Sequence, residues 1–494
     1  MAISAAFNIA QSGLNANKQR ADIAANNIAN ALTPGYHRKD VTLSAWVGAG
    51  RSGGVTTGAL LRAHDTAMQQ SLRDSAAGAG LDGARAAAAT RLIDSLGEPG
   101  SGDSIAETFN ALEDAFVDLY NDPGDIYRQG EVLRAAQGVA AKLNRLHDVV
   151  VQSRLEADQA IGRGVDALKA DLTEIQTLNR EIVRSVGSGV DHVDLLDARD
   201  AAVDRVAEKV GAIVHEKSDG SIALFTAGGV PLLDVNISTI GFGATASLDA
   251  GSRYDPLGGG SLSGLVIAGI DVTPAAGGPQ QLTSGSLAGH FAVRDDDALQ
   301  SIAVLDTLAA NTIARFQDPT VDTSLTLGDP GLFTDAGAYL ADTSVNIPVG
   351  LSGAIRVNPI VDPAQGGATF RLRDGLAAVT AGPESHQQQV DRFLDAIGRL
   401  EPLPAQSGLT TNRSLNGFAS DINIQLAATN VGIENTASRS DEALTVLQTS
   451  YSNLTGVNTD LELQNVLEAE KLFAANANVL QTASSMIDEL LRLI

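Results

Sequence analysis

Apolar residues recur at alternating steps of three and four at both extremes of this chain. Near the N-terminal end Ile3, Phe7, Ala10, Leu14, Asn17, Ala21, Ala24, Ile28 and Ala31 form a heptad seam in which Asn17 is the one polar member. The spacing predicts an amphipathic helix about 45 Å long at ~1.5 Å per residue. It should stop at Thr33-Pro34-Gly35-Tyr36, where Pro disfavours helix in the residue before it and Gly admits a positive φ. A Gly-rich loop is expected over Gly48 to Gly58. At the other end Leu463, Val466, Glu470, Phe473, Ala477, Leu480, Ser484, Ile487, Leu491 and Ile494 keep the same spacing. Chain ends are normally frayed and polar. A stripe at each extreme therefore buries either against the other, as a hairpin of helices, or against further chains, and the pattern leaves both open.

Further helices lie between. Ser104-Ile-Ala-Glu107 reads as a capping box opening the stripe Ile105, Phe109, Leu112, Phe116, Leu119, which Asn121-Asp-Pro-Gly124 closes. A longer stripe runs through Val132, Ala136, Val139, Leu143, Leu146, Val150, Ala157, Ile161, Val165, Leu168, Leu172, Ile175 and Ile182. Its four-residue steps near Ala157 to Val165 resemble a coiled-coil stutter. Residues 192–209 continue helically, and two strands, Ala212 to Val214 and Ser221 to Thr226, are joined by the turn Ser218-Asp-Gly220. Residues 230–281 and 318–382 are rich in Gly, Pro, Thr and short β-branched runs, which predicts β structure. Helix returns over 295–316, 385–400 and 414–455. The order from helix to β and back predicts an α+β multidomain chain: a discontinuous, coiled-coil-like helical rod built from both ends, carrying an inserted β-rich domain. Because the insertion carries no heptad seam, a Gly/Ser linker is expected to replace about residues 222–275 without loss of assembly.

Charge and composition narrow the function. With 34 Lys+Arg against 59 Asp+Glu the formal charge is −25, which repels nucleic acid phosphates and anionic lipid surfaces, so no nucleic acid partner is expected. The absence of Cys excludes disulfides, thiolate metal sites and cysteine nucleophiles. No run approaches the ~18 apolar residues of a membrane span, and the start lacks the basic and apolar regions of a secretory signal. The seven histidines never fall at the i, i+4 spacing of a zinc helix, and no Walker loop occurs. Gly241-Phe-Gly243-Ala-Thr-Ala246 only loosely copies a dinucleotide fingerprint and reads as turn or strand. Asp295-Asp-Asp297 reads as a helix N-terminus meeting its dipole, and Asp191, Asp194, Asp197 and Asp200 as the acidic edge of an exposed helix. No enzymatic activity, cofactor or metal is expected.

Ser12-Gly-Leu-Asn-Ala and Ala25-Asn-Asn-Ile-Ala-Asn30-Ala-Leu-Thr-Pro-Gly-Tyr36-His-Arg resemble the N-terminal signature of the bacterial flagellar rod, hook and hook-associated proteins; its motif positions here are Asn26, Asn27, Ile28, Asn30, Thr33, Pro34, Gly35 and Tyr36. Leu32 departs from the polar residue usual before Thr-Pro-Gly-Tyr. Gly456-Val-Asn-Thr-Asp460-Leu-Glu-Leu and Ala474-Ala-Asn-Ala-Asn478-Val-Leu-Gln-Thr-Ala483 resemble the matching C-terminal signature. The central segments Asp194-Leu-Leu-Asp-Ala-Arg-Asp200 and Leu282-Thr-Ser-Gly-Ser-Leu287-Ala-Gly are similar to those of hook-filament junction members.

The resemblance implies a structural protein that passes unfolded through the flagellar type III export apparatus without a cleaved signal and ends outside the cell at the hook-filament junction. It implies residues 1–36 and 457–494 as paired terminal helices of the inner tube. Residues 37–205, 282–317 and 383–456 would form a helical bundle, and 206–281 with 318–382 the β-rich outer domain. The assembly seam would use Ile3, Phe7, Leu14, Ile28, Leu463, Val466, Phe473, Leu480, Ile487 and Leu491. Implied partners are copies of the chain in a ring, the hook protein, the next hook-associated protein on the filament side and an export chaperone. Two other readings share these ends: another axial protein such as the hook subunit, and a secreted enzyme or adhesin on a flagellar scaffold.

Overall fold

The computed structural model describes residues 2–48, 51–98, 100–341, 346–404, 407–408 and 411–492. Long helices dominate, and their lengths follow the stripes. Helix α1 (Ala2–Ala29) leads into an antiparallel ribbon of β1 (Lys39–Gly48) and β2 (Arg51–Arg62). Then come α2 (Thr66–Leu96), α3 (Ile105–Asn121), α4 (Ile126–Ser188) and α5 (Val193–Val210). The ribbon stands where the glycines suggested a loop. Those glycines serve close packing instead: a Cβ on Gly53 would lie 1.9 Å from Cε3 of Trp46 across the ribbon.

Short strands follow. β3 (Ala212–Glu216), β4 (Ile222–Thr226) and β5 (Pro231–Leu233) form one antiparallel sheet in the register Ala212 to Thr226 and Glu216 to Ile222. β6 (Ile240–Gly241), β7 (Val266–Ile267) and β8 (Ile270–Asp271) form another. Helices α6 (Ser286–Ala292) and α7 (Ala298–Gln317) are joined by a π-helical turn, Val293–Asp297. Beyond lie β9 (Phe333–Asp335), α8 (Leu351–Ala354), β10 (Ile355–Val357) paired with β9, α9 (Arg371–Asp374), α10 (Gln388–Gly398), α11 (Leu415–Thr455) and α12 (Thr459–Arg492).

The chain divides into two compact units. The first comprises Met1–Gly78, Asp166–Thr239 and Asp441–Ile494, the second Ala79–Val165 and Ile240–Ser440. Helices α2, α4 and α11 contribute residues to both. These cuts fall elsewhere than the boundaries expected from the sequence. Residues 206–239 belong to the first unit, whereas 240–281 and 318–382 belong to the second. There Leu332, Phe333, Leu351, Ile355, Val361 and Leu372 sit in the same core as the helices.

That core of the second unit is built on α3, whose five expected positions are all buried. Ser104 Oγ accepts from Glu107 N and the Glu107 carboxylate accepts from Ser104 N, so the capping box forms as its spacing suggested. Phe316 of α7 packs with ring centroids 6.2 Å from Phe116, 5.2 Å from Phe333 and 5.6 Å from Phe393. The same unit holds three fully buried arginines, Arg154, Arg294 and Arg315. Arg154 donates to the carbonyls of Arg294 at 2.8 Å, Asp249 at 3.0 Å and Ser252 at 2.6 Å, and so ties an irregular segment to α4. Burial lowers its pKa to about 10. Arg294 donates to Asp158 at 2.7 Å and, through two bonds of 2.8 Å, to Asp295. Asp295 to Asp297 therefore do not open a helix. The backbone passes through them helically, Asp297 has φ −55 and ψ −45, and its carboxylate holds Arg85 through two bonds of 2.8 Å.

Candidate assembly interface

In the first unit α1 and α12 pack against each other. Arg20 approaches Glu468 at 3.8 Å and Gly13 faces Asn476, so α1 residue numbers fall as those of α12 rise and the pair is antiparallel. The contact is close: a Cβ on Gly13 would lie 2.8 Å from Nδ2 of Asn476. Such an approach favours small side chains on the line between the axes. On α1 the buried positions are Ala10, Ala16, Asn17, Ala24 and Asn27, and on α12 Glu462, Ala469 and Ala483. The hairpin alternative is thus realised, but with the buried line of α12 one residue before the expected positions 463, 470, 477 and 484.

The seam residues read from the sequence flank that line. Leu14, Ile28, Val466 and Leu480 are half-buried, while Phe7 (37%), Leu463 (54%), Phe473 (44%) and Ile487 (36%) are exposed. The side chains of Ile3 and Leu491 lie outside the described residues. A line of alanines thus holds the helix pair together, and its larger apolar side chains stay open to solvent, which is a surface suited to helices of other chains.

The motif after α1 forms a polar knot. Asn27 is fully buried; its Nδ2 donates to the Lys39 carbonyl at 2.9 Å and its Oδ1 accepts from Lys39 N at 3.0 Å, which fixes the start of β1 on the end of α1. Tyr36 donates its hydroxyl toward Asn26 Oδ1 at 2.9 Å and Asn27 Oδ1 at 2.8 Å. Burial and the nearby Asp194 push that phenol up to about 12, so it remains a donor. Asn30 Nδ2 donates to the Asn26 carbonyl at 3.0 Å, Thr33 Oγ1 donates to Asn30 Oδ1 at 3.3 Å, and Gly35 takes the positive φ of 78° that its position implied. Pro34 and the departing Leu32 are exposed on this turn, Leu32 at 96%.

Next to the knot lies an ion network that the sequence did not reveal. Asp197 and Asp200 are buried on α5 rather than lying on an exposed acidic edge. Asp197 Oδ1 meets His37 Nδ1 at 2.8 Å and Arg62 at 3.0 Å, and Asp200 meets Arg62 at 2.6 Å and Arg73 at 3.5 Å. His37 Nε2 pairs with the Tyr451 hydroxyl at 2.9 Å, and Arg38 N donates to the Thr455 carbonyl at 2.8 Å. Burial and Asp200 push Tyr451 up to about 12. Burial and Arg62 lower His64, which keeps it neutral. The acids fall at steps of three and four on one helix face, a visible signal, but their partners are over 120 residues away in sequence. A polar cleft of about 630 Å³ lies between residues 31–37 and 451–459. Among the described residues no group of three or more His, Asp or Glu could hold a metal ion, and no helix is long and apolar enough to cross a membrane. The network is structural: each charge is matched by another, and what it accomplishes is to fix the helix pair on α5 and the end of α11.

Three family matches fall along the chain in order. Residues 7–37 match the family described as flagella basal body rod protein, 89–320 the flagellar hook-associated protein FlgK helical domain, and 448–493 the flagellar basal body rod FlgEFG protein C-terminal family. The flagellar hook-associated protein 1 of Escherichia coli K12 is 24% identical, over 99% of this chain and 100% of its own length. That of Bacillus subtilis 168 is 26% identical over 47% of this chain and 48% of its own. The flagellar hook junction protein FlgK of Burkholderia pseudomallei aligns with a TM-score of 0.43 at 22% identity, over 54% of this chain and 46% of that one.

Proposed function

Because the chain belongs to the flagellar hook-associated protein 1 family, we propose that it is a structural subunit of the bacterial flagellum that joins hook to filament. It works by contact, not by catalysis. The observation that supports this most directly is the α1/α12 pair, which satisfies its own backbone and small side chains yet leaves Phe7, Leu463 and Phe473 exposed. Exposed apolar side chains of this size on two adjoining helices favour burial against other helices. We assign the seam positions Phe7, Leu14, Ile28, Val466, Phe473, Leu480 and Ile487 to those contacts. The partners are copies of the chain in a ring, the hook protein below and the next hook-associated protein above, with an export chaperone covering the same surface before assembly. The chain reaches its place through the flagellar type III apparatus.

Electron microscopy of flagella tests this. A strain lacking the chain should carry hooks without filaments, and the parent sequence should restore filaments. Phe473→Asp with Leu480→Asp should leave hooks bare while the melting temperature changes little, since Phe473 is exposed and Leu480 only half-buried in the single chain and each carboxylate would be fully buried only in the assembly. Filaments in the deletion strain would remove the junction role. A large fall in melting temperature would show instead that these residues belong to the fold of the single chain.

A further inference from the structure

The triplet Asn-X-Ser/Thr occurs three times in the chain, as Asn236-Ile-Ser238, Asn412-Arg-Ser414 and Asn453-Leu-Thr455. It is the acceptor pattern for an N-linked sugar, and each member has a chemical reason. The carboxamide nitrogen of Asn is a weak nucleophile, because its lone pair is delocalised into the carbonyl. A transferring enzyme must therefore grip that amide together with the hydroxyl two residues on. Both side chains must be within reach, unspent on other hydrogen bonds and outside regular helix.

The fold meets these conditions at one of the three. Asn453 lies in the last turn of α11, and Thr455 is buried with its hydroxyl donating to the Tyr451 carbonyl at 2.9 Å. Ser414 spends its Oγ in accepting from Gly417 N at 3.1 Å, and Arg413 beside it is bridged to Glu401 by two backbone bonds of 3.1 Å. Asn236 differs. It stands exposed at a bend after β5, and neither its carboxamide nor the hydroxyl of the half-buried Ser238 makes a hydrogen bond among the described residues. The backbone around them is held: Leu232 and Leu233 are fully buried, Gln176 of α4 donates to the Val235 carbonyl at 3.0 Å, and Ser238 N donates to the Leu232 carbonyl at 3.0 Å. The Asp234 carboxylate pairs with Lys217. Everything at this bend is engaged except the two side chains that the transfer requires.

We propose that Asn236 is an attachment site for an N-linked sugar, added to the folded chain by a glycosyltransferase whose donor is a sugar joined through its anomeric carbon to a diphosphate. The bond formed runs from Asn236 Nδ2 to the anomeric carbon. The bond broken joins that carbon to the diphosphate, which leaves with the electron pair, and the amide proton passes to a base of the transferring enzyme. No atom changes oxidation state. The sugar would stand beside Val235, which is 73% exposed at the same bend, and would replace apolar surface by hydroxyls. This site uses nothing of the helix seam and does not depend on the junction reading.

Trypsin cuts after Lys217 and Arg253 and releases residues 218–253, in which Asn236 is the only asparagine. In chain purified from the cells that make it natively, this peptide should be heavier by whole sugar residues, and electron-transfer fragmentation should place the added mass on Asn236. Asn236→Gln and Ser238→Ala should each abolish the addition and Ser238→Thr should keep it, all three melting close to the parent. The peptides holding Asn412 and Asn453 should stay unmodified. In cells lacking the flagellar export apparatus, a modified retained chain marks a nucleoside diphosphate sugar as the donor, whereas modification confined to exported chain marks a lipid-linked one. An unmodified 218–253 peptide overturns the proposal, as does added mass on one of its Ser or Thr residues. Equal modification of all three asparagines overturns it too, because the sugar would then be added to unfolded chain, where the bend selects nothing.

Discussion

Asp200 is buried between two arginines, and its ionisation is tied to the fold. Burial alone would raise its pKa, but the Arg62 and Arg73 guanidiniums outweigh burial and hold it below the usual carboxylate range. A carboxyl depressed in the folded state contributes stability that is present above its unfolded value, near ~3.9, and lost as pH falls through the folded value. Asp204, one turn further along α5, behaves in the opposite sense: burial outweighs Arg73 and raises it. Its contribution is full while it is protonated and declines as pH rises beyond the unfolded value. Arg73 thus serves two carboxyls whose pKa values shift in opposite directions, while Arg62 serves Asp200 and Asp197. The melting temperature should therefore fall as pH drops below about 4, and Arg62→Gln should flatten that fall more than Arg73→Gln. An unchanged slope in Arg62→Gln would show that Asp200 does not govern the acid limb.

At the scale of elements, what the sequence displayed depends on what each element packs against. The thirteen stripe positions of α4 are all buried, because a helix in a bundle repeats its contact every three or four residues and the repeat is local. The α12 stripe was equally visible, but the line that α12 buries against α1 runs one residue before it. Its large apolar members mark the flanks, and the alanines between them make the contact with α1, a distinction that depends on Gly13 permitting the close approach. The ribbon β1/β2 was not legible at all. Its glycines resemble loop chemistry, yet they are required where β2 meets other side chains. Gly54 has φ 118°, and a Cβ there would lie 2.1 Å from Ser12 Oγ, the atom that accepts from Val55 N at 3.0 Å. Gly54→Ala should therefore detach the ribbon from α1 and cost about 1–3 kcal/mol. Hydrogen exchange at Val55 should accelerate while exchange in α3 stays slow. Unchanged protection at Val55 would mean that Ser12 can turn aside without loss.

At the scale of the whole chain, the segment expected to be replaceable is part of two hydrophobic cores. In the first unit Ile222, Leu224, Leu232 and Leu233 are buried, and Asn179 of α4 clamps Ile222 by bonds of 2.9 and 3.2 Å. In the second, Leu265, Ile267 and Val272 are fully buried, and the carbonyls of Asp249 and Ser252 satisfy Arg154. Composition did not show this, because Gly and Thr set the average of this segment while its few Leu and Ile residues do the packing. Exchanging residues 222–275 for a Gly/Ser linker would strip apolar burial from both units and leave the buried Arg154 guanidinium with the Arg294 carbonyl but without those of Asp249 and Ser252, a loss large against the ~5–15 kcal/mol that a domain holds. That variant should fail to fold. A narrower change should not: residues 256–260 form a turn on which Leu257 is 93% exposed, and flexible replacements of short turns cost little. A Gly/Ser turn there should keep the melting temperature within a few degrees and still support filaments. If the long replacement folds and swims, the buried contacts around Asn179 and Arg154 are not what holds these segments. If the short one folds but leaves hooks bare, Leu257 is itself a contact between subunits.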